Sequence, residues 1–346
     1  MEIKPMYWKG NWKEGHLVIL DQTLLPQQQK YIDLHNIEAT WEAIKRLQVR
    51  GAPAIGIAAA YGVILGIQNI TENLQKNIEK VTDYLASSRP TAVNLFWALD
   101  RMKRTAKEHE QETIETIKQI LFQEACKIHQ EDIEVCKKLG EYGASLIPNK
   151  ANLMTHCNAG GLATSGFGTA LATFFTAKAQ NKDIHVYANE TRPLWQGARL
   201  TSWELQQMKI PYTLICDNTA AFLMQQGKID AIFVGADRIA TNGDTANKIG
   251  TYGIAISAWV HHIPFYIVAP LSTFDITIPN GQSIEIEERH SDEITKPYGI
   301  QIAPLKTNAY SPAFDVTPHQ YITGIVTEKG IVQTPITPEK IQALFA

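Results

Sequence analysis

The second half of the chain limits the fold most strongly. Past Pro148, short apolar runs recur at similar intervals: 152–156, 184–188, 213–216, 229–234 and 265–269. Helical patterns lie between them, including 163–179 and 203–208. Strands that alternate with helices pair in parallel, because the helix supplies the crossover that a parallel neighbour needs. The spacing therefore predicts a Rossmann-like α/β layer. Four of the runs end in polar residues: His156, Cys157 and Asn158 before Gly160 and Gly161; Asn189 and Glu190; Cys216, Asp217 and Asn218; and Gly235, Ala236 and Asp237. Ligands of open parallel sheets bind beyond the carboxyl ends of the strands. Any one of these residues also suits a helix cap, but four such ends together predict one polar crevice.

The first half has a different character. A strand is expected over 17–20 and helices over 38–47, 54–67, 72–87 and 92–106, with Pro53 at a favoured first-turn position. A long charged helix over 112–139, stopped by Gly140, would connect the halves. The reading is a mainly helical N-terminal domain with a small antiparallel sheet over 1–125, and the α/β domain over 126–346. At 346 residues the chain exceeds one ordinary core, which agrees with two domains. No internal repeat or low-complexity segment is present. A short terminal helix is expected over 337–345, capped by Thr337 with Pro338 in its first turn.

Composition excludes several classes. Hydrophobic residues make up 45% and charged residues 19%, enough apolar material for a large core. The formal net charge is −3 and no Lys/Arg stripe occurs, so no nucleic-acid partner is expected. The N-terminus lacks a secretory pattern. The most apolar stretch, 52–67, is broken by Gly and Pro and falls short of a membrane span of about 20 residues. Cys126, Cys136, Cys157 and Cys216 form no C-x-x-C pair, and a chain this large needs no disulfide scaffold. Reduced thiols and a cytoplasmic protein follow, with no membrane partner.

Within the crevice, Cys157 has two readings. It is either a small buried hydrophobe, as free cysteines usually are, or a reactive thiol. The second rests on its place between a strand end and a glycine-rich helix start, where backbone N–H groups favour a thiolate. Cys126 and Cys136 lack that setting, while Cys216 also ends a strand. Asp237 is either an ion-paired or capping carboxylate, or an acid whose pKa rises if Ile232, Val234 and Ile239 desolvate it. Arg50, with Gly51, Ala52 and Pro53, opens a helix, and helix N-termini bind phosphate. Arg89 precedes another helix start, and Asn247 with Lys248 sits in a Gly- and Asn-rich loop. Each is alone an ordinary surface charge; together they suggest an anion site that draws on both halves. The histidines show no metal-ligand spacing and His261–His262 falls on a helix. No P-loop occurs, and Gly160, Gly161, Gly166 and Gly168 do not complete a dinucleotide fingerprint.

Five segments carry a family resemblance: 49–56 (VRGAPAIG), 88–92 (SRPTA), 155–160 (THCNAG), 190–193 (ETRP) with Gln196–Gly197, and 234–238 (VGADR) followed by Asn247–Lys248. In order and over nearly the whole chain, they resemble the methylthioribose-1-phosphate isomerase family. The resemblance implies that Cys157 and Asp237 form the catalytic pair, with the Asp as proton donor. It implies that Arg50, Gly51, Ala52, Arg89, Gln196, Asn247 and Lys248 hold the sugar phosphate. It further implies the conversion of 5-methylthioribose 1-phosphate to 5-methylthioribulose 1-phosphate in methionine salvage, no cofactor, no metal, and a homodimer. Two rivals share the fold: isomerases of 5-deoxyribose 1-phosphate or ribose 1,5-bisphosphate, and non-catalytic regulatory subunits of a translation-initiation exchange factor. Retention of both Cys157 and Asp237 argues against the non-catalytic reading.

Overall fold

The computed structural model of the protein describes residues 4–345. The chain divides into two compact units. One comprises residues 4–137 together with Gly160–Gly168; the other comprises Lys138–Ala159 and residues 169–345.

In the first unit β1 (Met6–Lys9), β2 (His16–Leu20) and β3 (Tyr31–Leu34) form an antiparallel sheet in that order. Helices α1 (Ile37–Lys45), α2 (Ala52–Ile67), α3 (Leu74–Ala86) and α4 (Val93–Glu108) follow, and α5 (Ile114–Ser145) begins here. The α2 sequence is apolar on every face, and such a helix is stable only when surrounded. Its residues from Ala54 to Leu65 are all buried, packed by α1, α3 and α4. Each of Ile55, Ile57, Val63 and Ile64 is at most 1% exposed, and each such burial contributes about 1.5–3 kcal/mol.

The second unit carries β4 (Lys150–Thr155), α6 (Ala170–Ala179), β5 (Asp183–Asn189), α7 (Ser202–Gln207), β6 (Tyr212–Ile215), α8 (Ala220–Gln225) and β7 (Ala231–Val234). Next come β8 (Arg238–Ala240), β9 (Thr245–Lys248), α9 (Thr251–Val260), β10 (Phe265–Val268), β11 (Phe274–Asp275) and α10 (Asp292–Thr295). It closes with β12 (Phe314–Thr317), β13 (Gly324–Thr327), β14 (Gly330–Gln333) and α11 (Pro338–Gln342). Seven strands form one sheet in the order β14-β13-β10-β7-β4-β5-β6, parallel except for β14. A second sheet runs β11-β8-β9-β12. Thr337 accepts from the Lys340 N–H as the N-cap of α11, as its position before Pro338 predicted.

Four expectations change. The long helix does not stop at Gly140; it continues to Ser145. Gly143 permits close packing there, since a Cβ would lie 2.0 Å from Cγ2 of Thr173 on α6. The helix expected over 163–179 starts only at Ala170. Before it, Gly161–Ala163 makes a single 3-10 turn, and Gly160 pairs with Gly168 across a loop in which Gly166 and Gly168 have φ of 145° and 95°. Asn247 and Lys248 lie on strand β9, not in a loop, because Asn242–Gly243 turns the chain back between β8 and β9. His261 and His262 lie just beyond the end of α9.

Candidate active site

Strands β7, β4, β5 and β6 are neighbours, so the four polar ends expected from the sequence are adjacent. Cys157, just past β4, has φ of 64°. Its N–H donates to Oγ1 of Thr191 at 2.8 Å, and its carbonyl accepts from Oγ1 of Thr201 at 2.6 Å. Thr191 follows β5 and also has φ of 64°, a rare backbone for a β-branched residue. Left-handed residues of this kind cost about 1–3 kcal/mol each and persist only where their surroundings fix them. The surroundings here include Asp217 at the end of β6, whose carboxylate accepts from the Thr191 and Arg192 N–H groups, each at 2.7 Å. Asn158 uses both amide hydrogens, on Thr201 and on buried Glu204. The turn 191–201 thus clasps Cys157 from both sides of its peptide.

His156 is buried beside Cys157. Its Nε2 lies 2.8 Å from the carbonyl of Ile249. A carbonyl only accepts, so Nε2 carries the proton. Burial lowers the pKa of this histidine against the opposing pull of Asp217, which leaves Nδ1 as a bare acceptor. Among the described residues Nδ1 has no hydrogen-bond partner; the Asp217 carboxylate, itself an acceptor, is 3.9 Å away. Gly250 comes so close to the His156 ring that a Cβ would be 3.1 Å from it. These contacts bring the end of β9 to the end of β4.

Asp237 is half-buried between β7 and β8, and the flanking Ile232, Val234 and Ile239 are fully buried. Its N–H donates to the carbonyl of Ala246, next to Asn247. Asn247 is buried and donates to Oγ1 of Thr251. Lys248 reaches the Ala313 carbonyl at 2.9 Å, with its ammonium 4.4 Å from the Phe314 ring centre. Asp315 on β12 caps α9, accepting from the N–H groups of Gly250 and Tyr252. Burial pushes its carboxyl up to about 6, against the pull of those N–H groups and of Lys248.

Two more groups mark this strand-end region. Gln196, in the clasping turn, is 5% exposed and its Oε1 has no hydrogen-bond partner among the described residues. Asn189, at the end of β5, is fully buried, and neither side-chain amide atom is bonded among the described residues. Buried polar groups are normally satisfied, at a cost of about 1–3 kcal/mol when they are not. Amides left open here suit a hydroxyl-rich ligand.

The first unit holds the remaining expected residues. Arg50 is 8% exposed, not a surface charge, and its Nε donates to Oε1 of Gln22. Gln22 in turn donates to the carbonyl of Leu162. Gly51 has φ of 96°, and a Cβ there would lie 2.5 Å from Cα of Ala163. Only glycine lets the 160–168 loop sit against the start of α2, a steric reason that the sequence did not reveal. Ala52 is the first residue of α2. Arg89 lies in the turn before α4, its carbonyl accepting from Ala92. Asp132 of α5 anchors the same loop by accepting from the Ser165 N–H at 2.7 Å.

The cysteines now separate. Cys136 is buried and its thiol is pushed far up, by burial and by Asp132. Cys126 is half-buried, and burial raises its pKa. Cys216 is exposed, but the charge of Glu190 raises its pKa. Cys157 does not precede a helix start, because α6 begins well after it. Its distinguishing features are the left-handed backbone and the two threonine contacts. Thr201 and Glu204 have no signal in the sequence, and Thr191 shows only as part of the ETRP segment: nothing in a threonine's local pattern announces a left-handed bend or a contact with a distant strand.

Comparison with known proteins places the chain in a family. A family model described as the initiation factor 2 subunit family matches residues 48–334. The methylthioribose-1-phosphate isomerase of Geobacter sp. (strain M21) is 51% identical, over 93% of this chain and 94% of its own. The 5-deoxyribose 1-phosphate isomerase of Petrotoga mobilis is also 51% identical, over all of both chains. The crystal structure of 5-methylthioribose 1-phosphate isomerase from Pyrococcus horikoshii superimposes with a TM-score of 0.90 at 44% identity, covering 99% of this chain and 96% of that one. The chain therefore belongs to the initiation factor 2 subunit family, among its methylthioribose-1-phosphate isomerases and their close relatives.

Proposed function

We propose that the chain is an aldose–ketose isomerase that converts 5-methylthioribose 1-phosphate into 5-methylthioribulose 1-phosphate in methionine salvage. The observation that carries this reading is the clasped Cys157 at the end of β4, flanked by buried amides without partners at Asn189 and Gln196. The names of the relatives at about half identity support the same substrate class.

The chemistry begins with a locked sugar. The C1 phosphate ester prevents the ring from opening to an aldehyde unaided. Asp237 donates a proton to the ring oxygen as the C1–O bond breaks, which requires a carboxyl that holds its proton until needed. The hydrogen on C2 then moves to C1 and the C2 hydroxyl becomes the ketone, its proton returning to the site. In one route the C2 hydrogen leaves as a proton to the Cys157 thiolate; in the other it shifts as hydride, with Cys157 stabilising the cationic C1. Deuterium from solvent enters C1 only by the first route. The isomerisation is redox-neutral within one molecule, so no external oxidant or reductant enters. Arg50, Gly51, Ala52, Arg89, Asn247 and Lys248 are assigned to the phosphate and sugar, and Gln196 to a sugar hydroxyl through its open Oε1.

The fold is read as Rossmann-like and the working form as a cytosolic homodimer. A second reading, isomerisation of 5-deoxyribose 1-phosphate, is favoured by the Petrotoga relative. The two substrates differ by a methylthio group, which an apolar contact discriminates by about 1–3 kcal/mol. The test is kcat/KM for 5-methylthioribose 1-phosphate, 5-deoxyribose 1-phosphate and ribose 1,5-bisphosphate. The proposal expects the first to be used best. A preference for 5-deoxyribose 1-phosphate moves the assignment to the second reading, and no turnover of any refutes both.

A further inference from the structure

Away from this site, the small antiparallel sheet of the first unit brings together three groups that the sequence keeps apart. In the β2–β3 register Leu17 faces Leu34 and Val18 faces Asp33. The next pair outward is His16 and His35, and side chains two apart on a strand share a face. His16, Asp33 and His35 therefore project together, while Leu17 and Leu34 enter the core. Their ligand atoms all lie within 4.8 Å of one another. The His16 and His35 rings are 4.3 Å apart, and His16 Nε2 is 3.2 Å from the Asp33 carboxylate.

His16 Nε2 is shielded from solvent and, among the described residues, makes no hydrogen bond; its nearest polar neighbour is the Asp33 carboxylate. A shielded imidazole nitrogen that faces a carboxylate without a hydrogen bond has room for a third group between them. An ion pair would join the two by protonation. A metal would join them with neutral imidazole, and would use His35 as well. Tetrahedral zinc, with ligands at about 2.0–2.2 Å, places its donor atoms roughly 3.3–3.6 Å apart, near the His16–Asp33 separation. Two imidazoles and one carboxylate suit borderline divalent ions, with water as the fourth ligand.

We propose that His16, Asp33 and His35 form a surface site for a divalent transition metal of the zinc class, which clamps β2 to the end of β3. None of the three belongs to the proposed isomerase site, so metal occupancy and turnover are separable. The role is structural: a metal bound only by the folded sheet stabilises it by mass action.

The test is calorimetric titration of the full chain with zinc chloride, repeated with cobalt(II) to read tetrahedral ligand-field absorption. Asp33 and His35 are exposed, so Asp33→Asn and His35→Ala keep the fold. The parent should bind one equivalent, and each variant should bind at least about 10-fold more weakly. Zinc should raise the Tm of the parent and not of the variants, and kcat/KM should be the same in all three. Cys216→Ser should bind as the parent does. Absence of saturable binding by the parent, or binding unchanged in both variants or lost in Cys216→Ser, overturns the proposal.

Discussion

The Thr191 hydroxyl offers the sharpest probe of how the site is held. It accepts from the Cys157 N–H at 2.8 Å and donates to the Asn189 carbonyl at 3.1 Å, and Thr191 is fully buried. Thr191→Val keeps the shape and the branched β-carbon but replaces the hydroxyl with methyl. The Cys157 N–H is then left without its acceptor, which costs about 1–3 kcal/mol, and the lost donation to Asn189 adds roughly 1 kcal/mol. A total of about 2–4 kcal/mol lowers the Tm of the second unit by roughly 5–15 °C. The cheaper escape is for Cys157 to leave its left-handed backbone, which moves the thiol. Misplacement on the order of 1 Å costs up to about 100-fold in rate. The expected outcome is therefore a kcat at least about 10-fold lower with KM little changed, while Thr191→Ser retains most of the activity. The assays are steady-state kinetics and calorimetric melting. If Thr191→Val keeps kcat within about twofold of the parent, the clasp does not position Cys157. If Thr191→Ser fails as badly as the valine variant, the methyl and not the hydroxyl matters.

Two further outcomes follow from the same geometry. Iodoacetamide near neutral pH should inactivate the enzyme through Cys157, with substrate protecting it, although Cys216 is the more exposed thiol; Cys216→Ser should change neither the rate nor the protection, and peptide mapping with label only at Cys216 would contradict this. Asp315, pushed up to about 6 from an ordinary value of 3.8, keeps its proton in the folded protein where the unfolded chain has lost it. Stability should therefore fall as pH rises from about 4 to about 6, by roughly 3 kcal/mol, and stay lower above that range. Asp315→Asn should flatten that slope; denaturation midpoints with an unchanged slope would refute the assignment.

Much of this architecture was visible along the chain because it rests on local periodicity. The apolar all-round run after Pro53 could only be a central helix, and it is. The polar residues after β4, β5, β6 and β7 were legible because strand ends in a parallel sheet share one edge. Features that depend on register or close approach were not. Gly160–Gly168 looked like the start of a helix, yet it folds as a loop against α2, held by Gln22 and Asp132. Gly140 reads as a stop to α5, but the helix runs on to Ser145, and Gly143 within that last stretch is a packing contact with Thr173. His16 and His35 are far apart in sequence, and only the β2–β3 pairing makes them neighbours. The left-handed bends at Cys157 and Thr191 carry none of the glycine or asparagine that usually marks such positions.

The most direct test follows the carbon skeleton itself. Purified protein is given 5-methylthioribose 1-phosphate labelled with carbon-13 at C2, and the label is followed by NMR, for the parent and for Asp237→Asn. The expected result is conversion of the labelled carbinol carbon into a ketone carbon by the parent, and none by the variant, whose amide cannot protonate the ring oxygen but whose Tm is unchanged. A parent that produces no ketone, or an Asp237→Asn variant that produces it at the parental rate, contradicts the assignment of this site.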